Sequence, residues 1–134
     1  MANALRDTGR AGFLAGDIDW DANNIKCFLY DEGADAFNAA DDTLDDIIAG
    51  ARIALSGNFG TKTTTAGVAG AANVTLTAVS GASVESIEIY KDSGVESTSL
   101  LIANIDTATG LPLTPNGGDV TIAWDTGANK IFKL

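Results

Sequence analysis

Residues 86–105 read SIEIYKDSGVESTSLLIANI, and their period decides the fold. Ile87 and Ile89 alternate with Glu88 and Tyr90, the spacing of two that sends apolar side chains to one side of a β-strand. "KDSG" at 91–94 supplies turn chemistry, and the next run sets Leu101, Ala103 and Ile105 on one side. The same period continues outward. "NVTLTAV" (73–79) alternates Val74, Leu76 and Ala78 against Thr75 and Thr77, and "DVTIAWD" (119–125) aligns Val120, Ile122 and Trp124. Glycine-rich turns such as "SGAS", "ATGLPLTPNGGD" and "DTGAN" punctuate these runs. The pattern predicts a mainly β chain, an antiparallel β-sandwich or barrel, with one or two short helices in the N-terminal third.

"DVTIAWD" and "KIFKL" (130–134) stand a hairpin loop apart, so the last strand is expected to pair with the one before it. At the front, "NALRDTGRAGFLAG" (3–16) sets Leu5, Gly9, Gly12 and Phe13 on roughly one helical face, with Asn3 as the N-cap. Its glycines each cost about 1 kcal/mol relative to alanine. The segment therefore reads as a helical arm over 1–16 that needs a surface, on a single domain spanning 1–134. "IKCFLYD" (25–31) reads as a strand with Ile25, Cys27 and Leu29 on one face and Lys26, Phe28 and Tyr30 on the other. In "DDTLDDIIAG" (41–50), Thr43 and Asp46 form a capping-box pair that predicts a short helix stopped at Gly50.

A chain of 134 residues is long enough to bury a real core without staples. Its lone cysteine, Cys27, excludes an internal disulfide and reads as a buried, inert thiol. The 18 acidic residues against 8 basic ones give a net charge of -10, and the bases are scattered. Nucleic acid and anionic membrane are poor partners for such a surface. No stretch approaches the roughly 18 apolar residues of a membrane helix. Arg6, Asp7 and Arg10 precede any apolar region, which is not the pattern of a signal peptide, so synthesis in a cytosol without export by the usual route is expected.

Catalytic chemistry finds little to stand on. The chain has no histidine, which removes the usual triads and histidine-bearing zinc sites. "GNFGTKTTT" (57–65) lacks the spacing of a phosphate loop. "DIDWDAN" (17–23) opens like a calcium loop, with Asp17, Asp19, Asp21 and Asn23 at alternate positions. It then fails, because Ala22 stands where glycine is required and Phe28 where glutamate is. "DDTLDD" reads as acids at a helix N-terminus. Glu85, Glu88 and Glu96 present no facing carboxylate pair, and Trp20 and Trp124 read as packing aromatics. No enzyme, cofactor or metal is expected.

Taken together, "GDIDW", "IKCFLYD", "LDDIIAGARIALSG", "KTTTAGV", "VTLTAVSG", "IEIYKDSG" and "LIANIDTATGLPLTPNGGDVTIAWDTGANKIFKL" resemble a family of small structural proteins of tailed bacteriophages. The C-terminal string, from "IDTATGLP" through "NGGDVTIAWD" to "NKIFKL", is the most specific part. The resemblance implies a virion protein without catalytic chemistry. Charge suggests the place, since an acidic surface is repelled by packaged DNA and suits the outer face of the shell. The expectation is a decoration, or cement, protein that binds the major capsid protein and itself, as a homotrimer. Its contact residues, with capsid or neighbouring subunit, are expected among Leu5, Phe13, Trp20, Phe28, Tyr30, Phe132 and Leu134. The helical arm and the last strand either serve that contact or close the domain's own core. Alternatives are a neck, tail or fibre-attachment role, and a carbohydrate-binding adhesive module using Trp20, Phe28 and Tyr30.

Overall fold

A computed structural model describes residues 3–134. Its centre is an antiparallel pair, β6 (Ser86–Lys91) and β7 (Leu101–Ile105), formed by the two alternating runs above. β2 (Ile25–Tyr30) lies on the other side of β6, with β3 (Arg52–Leu55) beyond it, and β1 (Ala4–Leu5) flanks β7. The five-stranded sheet runs β1-β7-β6-β2-β3 with every pairing antiparallel. It stays open at β1 and β3, so the barrel alternative falls away and the layered one remains.

Both faces of this sheet are buried, which alternation alone did not predict. Ile25, Cys27, Leu29, Ile87, Ile89 and Ala103 pack on one side. On the other, Phe28, Tyr30, Tyr90 and Leu101 meet Leu44, Ile47 and Ala51. An antiparallel sheet can leave one face wet. Here residues 31–51 fold over that face and seal it, and they do so without the single helix expected there. The Thr43–Asp46 capping box forms, but it caps one 3₁₀ turn, Leu44–Asp46. The chain then extends at Ile47, and a second turn, Ala49–Ala51, runs through Gly50 and does not stop there.

Opposite that cover, two-stranded ribbons close the first face. β4 (Val68–Ala69) pairs with β9 (Phe132–Lys133), and β5 (Val74–Leu76) pairs with β8 (Val120–Ile122). The expected β8–β9 hairpin does not form. The chain leaves β8 at Ile122, and Phe132 instead reaches Trp20 and Phe13, with ring centroids 5.3 and 5.8 Å away. A second correction concerns Leu101. Ile89 faces Ala103 and Tyr90 faces Leu101, so Ile102 is an extra residue in β7. This bulge turns Leu101 to the face opposite Ala103.

The N-terminal helix, α1 (Asp7–Ala15), begins later than its pattern suggests. Leu5 lies in β1, and Arg6 occupies the N-cap position. Asn3 does other work: its Oδ1 accepts from the Asp106 and Thr107 N–H groups, and its Nδ2 donates to the Thr107 carbonyl. The glycines that weaken the helix let it dock on its own sheet. A Cβ on Gly9 would lie 2.6 Å from the Ile102 carbonyl oxygen, and one on Gly12 would lie 2.5 Å from Ile18 Cδ1. Gly16, at φ 80, ends the helix in the left-handed conformation.

Arg6 is the charged group that this docking buries. Its Nε donates to Glu88 Oε1 at 2.7 Å, its Nη2 donates to the same oxygen, and its Nη1 donates to the Asn38 carbonyl at 2.6 Å. The guanidinium stacks 4.5 Å above the Phe37 ring. Glu88 itself has no solvent exposure.

Gly9→Ala is expected to lower the unfolding free energy by about 2 kcal/mol in urea titrations, because the obstacle is backbone. Gly12→Ala should cost less, since the end of the Ile18 side chain can move. A stabilised Gly9→Ala protein, following helix propensity, would contradict the close approach.

Candidate functional site

The structure sorts the candidate contact residues by burial and position. Phe28 and Tyr30 are wholly enclosed beneath residues 31–51, where Phe28 packs against the rings of Tyr30 and Tyr90. Trp20 is also buried, with its Nε1 donating to the Gly70 carbonyl at 3.0 Å and its ring meeting Phe59 edge-on. Phe28 and Tyr30 are closed to any partner in the folded protein, and the expectation that they form contacts is corrected accordingly; Trp20 keeps only a small exposed edge, in the groove it shares with Phe13 and Phe132. A glycan platform on the faces of Phe28 and Tyr30 is closed off with them. Trp124 is half-buried, and its Nε1 donates to the Ala72 carbonyl. Leu5 is half-buried at the sheet edge, beside Arg6 and Phe37 and apart from the rest.

The remaining candidates converge. Phe13 from α1 and Phe132 and Leu134 from the C-terminal ribbon open onto one groove of about 320 Å³, with Trp20, Val68 and Ala69 also lining it. Phe13 and Phe132 are partly exposed, and Leu134 is 61 % exposed. Local folding explains the assembly. Gly16 turns the chain back after the helix, and the extended residues that follow send Ile18 and Trp20 inward while Asp17 and Asp19 face solvent. Trp20 then presents its edge to Phe132, and Phe13 packs on the same ring. Sequence reading named these groove residues but missed Val68 and Ala69, whose strand is too short to show a period.

The groove can hold an apolar group, but it is not furnished for chemistry. Asp19 is the one charged residue in its lining. Asp19 Oδ1 accepts from the Asp21 and Ala22 N–H groups, and Asn23 Oδ1 accepts from the Asp19 N–H, so the calcium-like stretch closes a turn. Asp46 Oδ2 likewise accepts from the Asp42 and Thr43 N–H groups, which hold its carboxyl below the usual range. No group of three or more potential metal ligands occurs among the described residues.

The strongly shifted groups lie deep inside. Burial pushes the Cys27 thiol up to about 12, with Ser56 pulling weakly the other way. Burial also pushes the Glu88 carboxyl up to about 8, and Arg6 reverses only part of that rise. Glu88 stands directly opposite Asn104 in the β6–β7 pairing, and Glu88 Oε2 and Asn104 Oδ1 are both buried without a hydrogen-bond partner. Both shifts follow from structural burial.

No helix among the described residues is long and apolar enough to cross a membrane. No protein-family model matches the chain, and no curated protein matches it closely enough to count as a relative.

Two outcomes follow from the buried groups. Folded Cys27 should resist alkylation by iodoacetamide near pH 8 and react once the chain unfolds; fast labelling of native protein would contradict its burial. Glu88 takes up a proton near pH 8 when folded and near its ordinary 4.5 when unfolded. Between those values the folded state holds a proton that the unfolded state has lost. Stability from this group is thus full below about 4.5 and declines as pH rises toward about 8. Urea midpoints of the parent protein should fall across that window, and Glu88→Gln should flatten the fall. Identical slopes would contradict the assignment.

Proposed function

We propose that this chain is a virion structural protein of a tailed bacteriophage. Within the virion we assign it the role of a capsid decoration protein, bound to the outer surface of the major capsid protein shell as a homotrimer. The observation that carries this reading is the apolar groove at Phe13, Phe132 and Leu134, set in a molecule of net charge -10. An exposed apolar groove on a charged protein suits attachment to another protein surface. The acidic excess disfavours the DNA side of a shell. The resemblance of "IDTATGLP" through "NKIFKL" to phage structural proteins supports the same reading. Such a protein works by contact area: each interface is modest, and an oligomer that bridges several subunits multiplies the effect.

Quantitative mass spectrometry of virions whose genome encodes this chain tests the proposal. A copy number of the same order as the major capsid protein is expected, and shells stripped of the chain should lose their DNA at lower temperature. A handful of copies would overturn the decoration role, and about six or twelve would move the chain to a symmetric neck or tail ring.

A further inference from the structure

We infer that Asn116 is a site of spontaneous deamidation, in which its side-chain amide closes onto the Gly117 backbone nitrogen. Hydrogen bonds that join residues 78–79 to residues 116–119 hold this reaction off in the folded protein. The inference stands independently of the virion role.

Asn116–Gly117 is the one asparagine–glycine step in the sequence. Ring closure brings the following backbone nitrogen onto the side-chain carbonyl carbon, and glycine has no side chain to obstruct that approach. Asn116, Gly117 and Gly118 are all exposed, so water and hydroxide reach them. The chemistry balances with water as the only co-reactant. Hydroxide takes the Gly117 N–H proton, and the nitrogen attacks Asn116 Cγ. The N–Cγ bond forms, the Cγ–Nδ2 bond breaks, and Nδ2 leaves as ammonia with a proton from water, which restores the hydroxide. Water then opens the cyclic imide at either carbonyl. The product is aspartate or, with the main chain rerouted through the side chain, isoaspartate.

The fold engages both reacting groups. The Gly117 N–H donates to the Val79 carbonyl at 2.7 Å, so the proton that must leave is already held. Asn116 Oδ1 accepts from the Gly118 N–H at 2.9 Å, which keeps the side-chain amide in a turn. Two further bonds close the junction: the Val79 N–H donates to the Gly118 carbonyl at 2.9 Å, and the Ala78 N–H donates to Asp119 Oδ1 at 3.0 Å. Val79 belongs to the buried core, so its backbone is a fixed anchor for the exposed loop. Reaction therefore waits on opening of this junction, and its native rate is the open-chain rate scaled by the fraction open. Isoaspartate adds a carbon to the main chain and takes the side-chain carbonyl into the backbone. The bond to Gly118 is then lost, just before β8 begins at Val120.

The test incubates full-length protein in mildly alkaline buffer, with and without unfolding urea, and follows Asn116 by peptide mapping with isoaspartate resolved. In urea, Asn116 should convert at the rate of a synthetic TPNGGD peptide. Native protein should convert at least about tenfold more slowly, and its Gly117 amide should exchange slowly with deuterium. Asp119→Ala, at an exposed position, removes the acceptor for the Ala78 N–H and should raise the native rate about threefold or more while leaving the rate in urea unchanged. Asp119→Asn keeps an acceptor oxygen and should behave like the parent. Equal rates with and without urea, a freely exchanging Gly117 amide, or a native rate unmoved by Asp119→Ala would overturn the protection by the fold. An Asn116 that stays intact in urea would overturn the site itself.

Discussion

The Arg6–Glu88 contact decides where the N-terminal third of the chain can lie. The guanidinium and the carboxyl group are almost wholly removed from water, burial pushes the Glu88 carboxyl toward its neutral form, and the contact persists through the two hydrogen bonds that Arg6 donates to Oε1. Glu88 Oε1 takes two donors from Arg6, and the Asn38 carbonyl and the Phe37 ring complete the guanidinium's surroundings. Arg6 also donates its backbone N–H to the Ile102 carbonyl at 2.8 Å, which joins the contact to β7. From that point α1 has one direction to run. Gly9 lets it lie against Ile102, and Gly16 returns the chain toward Trp20.

The groove follows from that placement. Phe13 reaches Phe132 because the helix sits close to the sheet, and Phe132 reaches Trp20 because β9 pairs with β4. The two ends of the described chain thus share one aromatic cluster, buried at Trp20 and open at Leu134. Both ends pack on the domain's own core, and what they leave uncovered is an apolar groove with Asp19 in its lining. Cys27 and Glu88, whose proton affinities burial raises, lie on sheet strands beneath the covered faces.

Much of the fold was legible. Alternation located β2, β6 and β7, the Thr43–Asp46 pair announced its capping box, and Cys27 lies buried as its neighbours suggest. Alternation failed where it measured period but not cover. Glu88 and Tyr90 look like a wet face, yet residues 31–51 seal it. Phe28 and Tyr30 looked like contact residues for the same reason. Leu101 changed sides through a bulge, which leaves no trace in composition. Asn3 had the chemistry of a cap and used it on the end of β7. Of the candidate contacts, Phe13, Phe132 and Leu134 stand open in one groove, which exists because β9 pairs with β4 beside the end of α1.

The amino-acid sequence by itself determined the β period, the turns, the acidic charge and the absence of histidine, because each depends on residue type and near spacing. Tertiary structure alone decided which faces are dry, which strand Phe132 joins, and that Arg6 meets Glu88 across 82 positions. Those outcomes depend on which distant segment arrives to exclude water, and water exclusion is a property of packed surfaces that local spacing does not encode.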